Sequence, residues 1–215
     1  LPDDKILPTI ANFHGVSGRM EEVGKVKGKD IYVDYAHNPA GVETVLKEFK
    51  KLFGDFTTVI TVSSESGYVG DIDIFNSVLK FSKFIVPASV ASQKIAVEKL
   101  RENPKLNDRI FLNHVDDFVK TGTLGASKEE VRDGLIKALN LDCEMVIAIG
   151  EAATKFKSII FELVSYLFLF YIMVVLVFLE YLVLLKLLNN SRFSRFKIYN
   201  HIATTNIQIF LIKVK

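Results

Sequence analysis

Three features of this 215-residue chain predict an α/β protein built on a mostly parallel sheet. Short β-branched apolar runs alternate with segments whose apolar residues recur at helical spacing. All 12 glycines and all 5 prolines fall before residue 158, so turn chemistry punctuates that part alone. Apolar residues make up 49% of the chain and charged residues 24%, enough to build a core and too apolar for a disordered polymer.

Glu22–Val26 and Asp30–Asp34 flank a Lys27–Gly28–Lys29 turn and read as a hairpin-like strand pair. From Ala40 to Phe53, the residues Val42, Val45, Leu46, Phe49, Leu52 and Phe53 form one apolar helical face opposite Lys and Glu. Thr57–Val62 has the composition of a buried strand, Asp73–Phe81 is helical in pattern and Phe84–Pro87 is a strand. A helix over Gln93–Arg101 stops at Asn103–Pro104, and Arg109–Leu112 reads as a further strand. Ser127, with Glu130 three positions on, is a capping box opening a helix to Leu139, and Met145–Ile149 is the last strand. Strands separated by helices imply right-handed crossovers, hence a Rossmann-like, doubly wound, mostly parallel sheet followed by a hydrophobic helical tail.

The tail differs in kind. Residues 159–215 contain no Gly, Pro, Asp or Cys and are rich in Leu, Phe, Ile, Tyr, Asn and Lys. This is the source of the positive mean hydropathy of +0.27. The organisation read from the sequence is therefore 1–13 as a linker with the end of a preceding domain, 14–157 as the α/β domain and 158–215 as the tail. Residues 163–185 pass the crude length test for a transmembrane helix. The positive-inside rule would then put residues 1–157 outside the cell. The chemistry that a family resemblance given below implies puts them in the cytoplasm. A true anchor, a helix buried against protein and a non-native extension from a frameshift in an AT-rich gene each resolve that conflict; the last is the preferred origin. No signal peptide precedes the α/β part, and the start at Leu1 reads as a fragment.

The net charge of +2 argues against a polyanion-binding surface, so no nucleic-acid partner is expected. Cys143 is the single cysteine, which excludes an internal disulfide and a CxxC knuckle. His14 and His114 have no metal partners at ligand spacing.

In open α/β sheets, function gathers at the carboxyl ends of the strands. Three loops qualify: Asp34–Pro39, Ser63–Gly70 and Gly150–Thr154. Asp34-Tyr35-Ala36-His37-Asn38-Pro39 delivers an acid at a strand end and starts a helix at Pro39, whose free N–H groups would face an anion. Asp34 could accept from vicinal ribose hydroxyls, and His37 and Asn38 could reach phosphates or a ring. The same residues would also serve as a plain capped turn. Gly15-Val16-Ser17-Gly18-Arg19-Met20-Glu21 places a guanidinium fork in a glycine-flanked turn.

GVSGRMEEV followed by IYVDYAHNPAG resembles the C-terminal domain of the Mur ligase family, which includes peptidoglycan-precursor ligases, folylpolyglutamate synthetases and cyanophycin synthetases. The likeness runs from Leu1 to about Lys157. It implies an enzyme part: ATP phosphorylates a carboxylate, an amine attacks the acyl phosphate, and an amide, ADP and phosphate result. It implies a nucleotide site of Arg19 at the phosphates and Asp34 at the ribose, with His37 and Asn38 lining it. Ser64, Glu65, Ser66 and Gly67 would meet the substrate. ATP and Mg2+ are the implied cofactors, held mainly by a central domain that this chain lacks. The implied partners are that central domain, the N-terminal domain, and a carboxylate and an amine substrate.

No G-x-x-x-x-G-K-S/T occurs, so the phosphate cradle is absent and the chain alone is expected to be inactive. The Ser63–Asp71 loop and Pro87-Ala88-Ser89 depart from the peptidoglycan-ligase patterns and look more like archaeal branches, including the methanogen synthetase of the nickel-tetrapyrrole coenzyme. Gly150-Glu151-Ala152-Ala153-Thr154 matches only in part, and losing the family's closing segment would leave the last strand's neighbours poorly covered. The alternative function is a membrane-tethered, non-catalytic module that binds a ligand or partner. A generic dinucleotide binder lacks its G-x-G-x-x-G.

Overall fold

The computed structural model describes residues 6, 8, 11–13, 15–63, 67–113 and 125–190. Five strands form one sheet in the order β1-β2-β5-β3-β4: β1 Glu21–Val26, β2 Lys29–Asp34, β3 Thr57–Ile60, β4 Phe84–Pro87 and β5 Met145–Ile149. Only β1 runs antiparallel to its neighbour; β2, β5, β3 and β4 are parallel. The hairpin between β1 and β2 has a two-residue loop with Lys27 at φ 52° and Gly28 at φ 79°. Two successive left-handed residues give the turn whose twist matches that of the strands, which is why a glycine stands there.

Helices cover both faces. On one face lie α1 Pro39–Phe53, α2 Gly67–Phe81 and α3 Val90–Glu102. Their Val42, Leu46, Phe49, Ile74, Phe75 and Ile95 pack with Ile60, Ile85, Ile147 and Ile149 of the sheet. On the other face lie α4 Lys128–Leu139, α5 Glu151–Lys155 and the start of α6 Ser158–Asn190, packed on Val33, Val59, Val86, Val146 and Ala148. Alternate residues of one strand, such as Val59 and Ile60 or Ala148 and Ile149, therefore enter different cores, as the two-residue period of a strand requires. The mostly parallel, doubly wound sheet is as expected.

Several boundaries differ from the sequence reading. Arg109–Leu112 is not a strand: only Ile110 bridges Ile85. Arg109 instead donates from Nη2 to the Leu79 and Ser82 carbonyls, both at 2.7 Å, tying the segment to the end of α2. The helix expected from Asp73 starts at Gly67, and the one expected from Gln93 starts at Val90, where Ser89 caps it by accepting from Ser92 N–H. β3 ends at Ile60 rather than Val62, and the Thr61 amide and hydroxyl that follow both donate to the carbonyl of Ile149.

Two compact units divide the chain, Leu1–Ser165 and Tyr166–Lys215. The first two turns of α6 therefore belong with the α/β unit, past the expected edge at 157. Ile159 and Ile160 are fully buried, and Glu162 pairs with Lys128 and Arg132 of α4. The expectation that the last strand's neighbours are poorly covered is thereby corrected, since these turns pack with Val33 and Val59 on that face. In the second unit, α6 continues to Asn190. Among the described residues, no helix is long and apolar enough to cross a membrane. The transmembrane expectation for 163–185, and the membrane-tethered alternative that leans on it, thus find no support among the described residues.

Candidate functional site

β2, β5 and β3 are neighbours, so the loops that follow them share one edge of the sheet. At that edge Gly150 N–H donates to the Asp34 carbonyl at 2.8 Å, and Thr61 Oγ1 accepts from Ala153 N–H at 3.1 Å. A Cβ on Gly150 would stand 2.8 Å from Thr61 Oγ1 and from Val62 N, and its φ is +121°. Only glycine lets the chain leave β5 at that point.

Asp34 ends β2 at 2% exposure. Its Oδ2 accepts from Met20 N–H at 2.8 Å, and its Oδ1 from Ala36 N–H at 2.7 Å. The carboxylate that was expected to face ribose hydroxyls is already engaged, one backbone donor on each oxygen, and closed to solvent. What it holds is the turn bearing Arg19. Tyr35 N–H donates to the Gly18 carbonyl at 2.8 Å, a second tie between the same segments. Arg19 is exposed, and its guanidinium carbon lies 5.2 Å from the centre of the Tyr35 ring. The Tyr35 and His37 rings meet edge to face at 5.2 Å, and His37 Nδ1 lies 3.3 Å from the Tyr35 carbonyl. Arg19, Asp34, Tyr35 and His37 are thus one cluster.

Asn38 is next to this cluster but differently occupied. It caps α1, accepting from Gly41 N–H at 2.9 Å, with Pro39 as the first helical residue. Gly67 is exposed at the start of α2 after β3, in a left-handed conformation at φ +64°. Ser64, Glu65 and Ser66 lie outside the described residues, as do His14 and His114. Among the described residues, no group of three or more acidic, histidine or cysteine side chains is arranged to hold a metal. The fit of Mg2+ therefore rests on the partner domain that the resemblance implies.

Three residues important to this edge were not among the expected site residues. Glu21 Oε2 accepts from Gly18 N–H at 2.6 Å and from the Ser17 hydroxyl at 3.1 Å. Lys157 Nζ reaches both Glu21 oxygens, at 2.7 and 2.8 Å, and the Ser17 hydroxyl at 2.7 Å. The ammonium of Lys157, first, and the donors Gly18 and Ser17 hold the Glu21 carboxyl below its ordinary pKa, with desolvation opposing them. Thr154 sits against Gly18, where a Cβ would come within 2.5 Å of its methyl. Glu21 could have been suspected from its place three residues after Gly18; Lys157 and Thr154 are brought in by the fold alone.

Comparison with known proteins bears on the family of this domain. The family model described as Mur ligase, glutamate ligase domain matches residues 18–99. The UDP-N-acetylmuramate–L-alanine ligase of Caldicellulosiruptor saccharolyticus is 26% identical over 141 residues, covering 66% of this chain and 26% of that protein. The enzyme of the same name from Xanthobacter autotrophicus is 45% identical over 47 residues, 22% of this chain and 10% of that one. Among solved structures, a pseudomurein peptide ligase type C from Methanothermus fervidus is 33% identical, with a TM-score of 0.57, covering 77% of this chain and 32% of that one. The chain thus spans 26% of the Caldicellulosiruptor ligase and 32% of the Methanothermus ligase. A specific paired motif, a doubly wound sheet and relatives of one kind converge: this chain carries a Mur ligase C-terminal domain, the glutamate ligase domain of that family.

Proposed function

We propose that the α/β unit is the nucleotide- and substrate-binding C-terminal part of an ATP-dependent, ADP-forming amide-bond ligase that works through an acyl phosphate. The observation that carries the reading is the presentation of Arg19. An exposed guanidinium stands on a turn tied to the carboxyl end of β2 by Met20 N–H to Asp34 and Tyr35 N–H to Gly18. Such a fixed cation suits a step in which negative charge spreads over transferring phosphoryl oxygens. Tyr35 and His37 offer ring surface beside it for a base or sugar. Asp34 acts in this reading through the turn that it holds, and a ribose contact would need the loop to open.

Mg2+ and the phosphate cradle would come from a P-loop domain, and closure of the two parts would exclude water from the acyl phosphate. ATP chemistry places the assembly in the cytoplasm. The likeness to a methanogen's pseudomurein peptide ligase favours a peptide-forming reaction between a carboxylate and an amino-acid or peptide amine, with Gly67 and the loop before it near the substrate.

The test is amide formation and ADP release by the chain joined to a P-loop domain of the family. Arg19→Ala should weaken ATP use by about 1–3 kcal/mol, the cost of one charge-assisted contact. Unchanged kinetics would refute the site. The chain on its own should hydrolyse no ATP, and substrate-dependent hydrolysis by it would refute the division of labour.

A further inference from the structure

We infer that Lys157 is a positioning residue for Arg19, latching the arginine turn to the corner between α5 and α6. This rests on the ligase reading above, since Arg19 is taken there as the phosphate contact. The turn Val16–Arg19 is closed by Arg19 N–H to the Val16 carbonyl at 3.0 Å. Its two sides are held differently. The side after Arg19 is fixed to β2 through Met20 N–H and Asp34. The side before Arg19 has Gly18 tied to Tyr35, but Ser17 and the Glu21 carboxylate that gathers it are secured to the body of the domain through Lys157.

Every polar group in the latch is matched. Glu21 takes an N–H, an O–H and an ammonium; the Ser17 hydroxyl donates to Glu21 and accepts from Lys157. The pair is largely covered, with side-chain exposures of 29% for Lys157 and 27% for Glu21, so solvent screens it less than an open surface pair. Lys157 lies 136 positions from Glu21 in sequence, so its contact pins two distant segments rather than reinforcing one local turn. Thr154, three residues earlier in α5, stands against Gly18 from the same corner, where an added Cβ would meet its methyl. The corner therefore sets where the guanidinium stands by charge and by contact together.

Removing the ammonium leaves Glu21 with its two local donors, so the turn stays formed but is released from the corner. The expected result of Lys157→Met is thus a displaced Arg19 in a folded domain. Two measurements decide it. In the full chain without ligand, the Arg19 side-chain N–H resonance, set by its place over the Tyr35 ring, should move in Lys157→Met and return in Lys157→Arg. In the ligase completed with the P-loop domain, Lys157→Met should raise the KM for ATP about fivefold with kcat within about twofold. The same change in an Arg19→Ala background should do nothing further.

An unmoved Arg19 resonance together with an unchanged KM overturns the latch. So does an equal KM penalty in the Arg19→Ala background, because the lysine would then act elsewhere. Should Lys157→Met unfold the chain, Glu21→Gln, which keeps shape and local hydrogen bonding, takes its place in both measurements with the same expected outcomes. If Arg19→Ala itself leaves the KM unchanged, the nucleotide reading fails, while the resonance still decides whether the latch positions the arginine.

Discussion

Gly18 shows how one missing Cβ shapes the site. Its φ is +74° and an added Cβ would meet the Thr154 methyl at 2.5 Å. Gly18→Ala should therefore destabilise the unit by about 1–3 kcal/mol from backbone strain and overlap combined. Adding Thr154→Ser, which removes the methyl, should restore part of that loss in chemical denaturation; no recovery would show that strain alone is responsible. Glu21 supplies the second test. Its folded pKa is lowered by Lys157, so its contribution to stability is complete above the ordinary carboxylate range and is lost as pH falls through the lowered value. The stability gap between the unmodified chain and Glu21→Gln should accordingly be widest near neutrality and close in acid. A gap that widened on acidification would contradict the pairing. Asp34 illustrates why residue type alone misled: an acid at a strand end reads as a ligand acceptor, yet two backbone N–H groups within 2.8 Å claim it.

Helix α1 begins directly beside the cluster, and its start can be separated from ligand binding. Asn38 accepts from Gly41 N–H, Pro39 occupies the first helical position, and Lys50 and Lys51 end the helix favourably for its dipole. Asn38→Ala should cost about 1 kcal/mol in unfolding experiments, whereas Asn38→Asp, an equally good cap, should fold like the parent. If Asn38→Asp nevertheless impairs ATP use in the completed ligase, the amide has a ligand role besides the cap. The helix starts at Gly67 and Val90 were set too late in the sequence reading, because their first turns contain Gly, Tyr, Ser and Ala rather than an apolar stripe. The Ser127–Glu130 box, in contrast, is reciprocal as expected, with Ser127 N–H to Glu130 at 2.7 Å and Glu130 N–H to Ser127 at 3.2 Å. Residues 109–112 differ for the opposite reason: their apolar composition suits a strand, yet the backbone pairs with β4 only through the single bridge of Ile110 to Ile85.

The domain's extent follows from burial. Ile159 and Ile160 lie in the core with Val33 and Ala148, on the far side of the composition change that marked the expected boundary. Shortening the chain after Ser165 should preserve cooperative unfolding. Stopping at Lys157 should lose about 2–5 kcal/mol or more, in line with Ile160→Ala alone, because the β2–β5 face would be uncovered. Equal stability of the two truncations would place the boundary back at 157. A compositionally foreign segment can still be structurally native over its first turns, since the core requires only apolar volume at the right place.

Local periodicity, caps and turn residues were enough to infer the alternation of elements and the mostly parallel sheet, because short-range spacing decides which face of a helix or strand is apolar. The paired motif likewise identified the arginine and aspartate segments, which indeed meet. Lys157 reaching Glu21, Thr154 reaching Gly18, and the two backbone claims on Asp34 depend on strand order, which brings β2, β5 and β3 side by side. Contacts across such long separations are made by packing the whole sheet and leave no pattern in any stretch short enough to read along the chain.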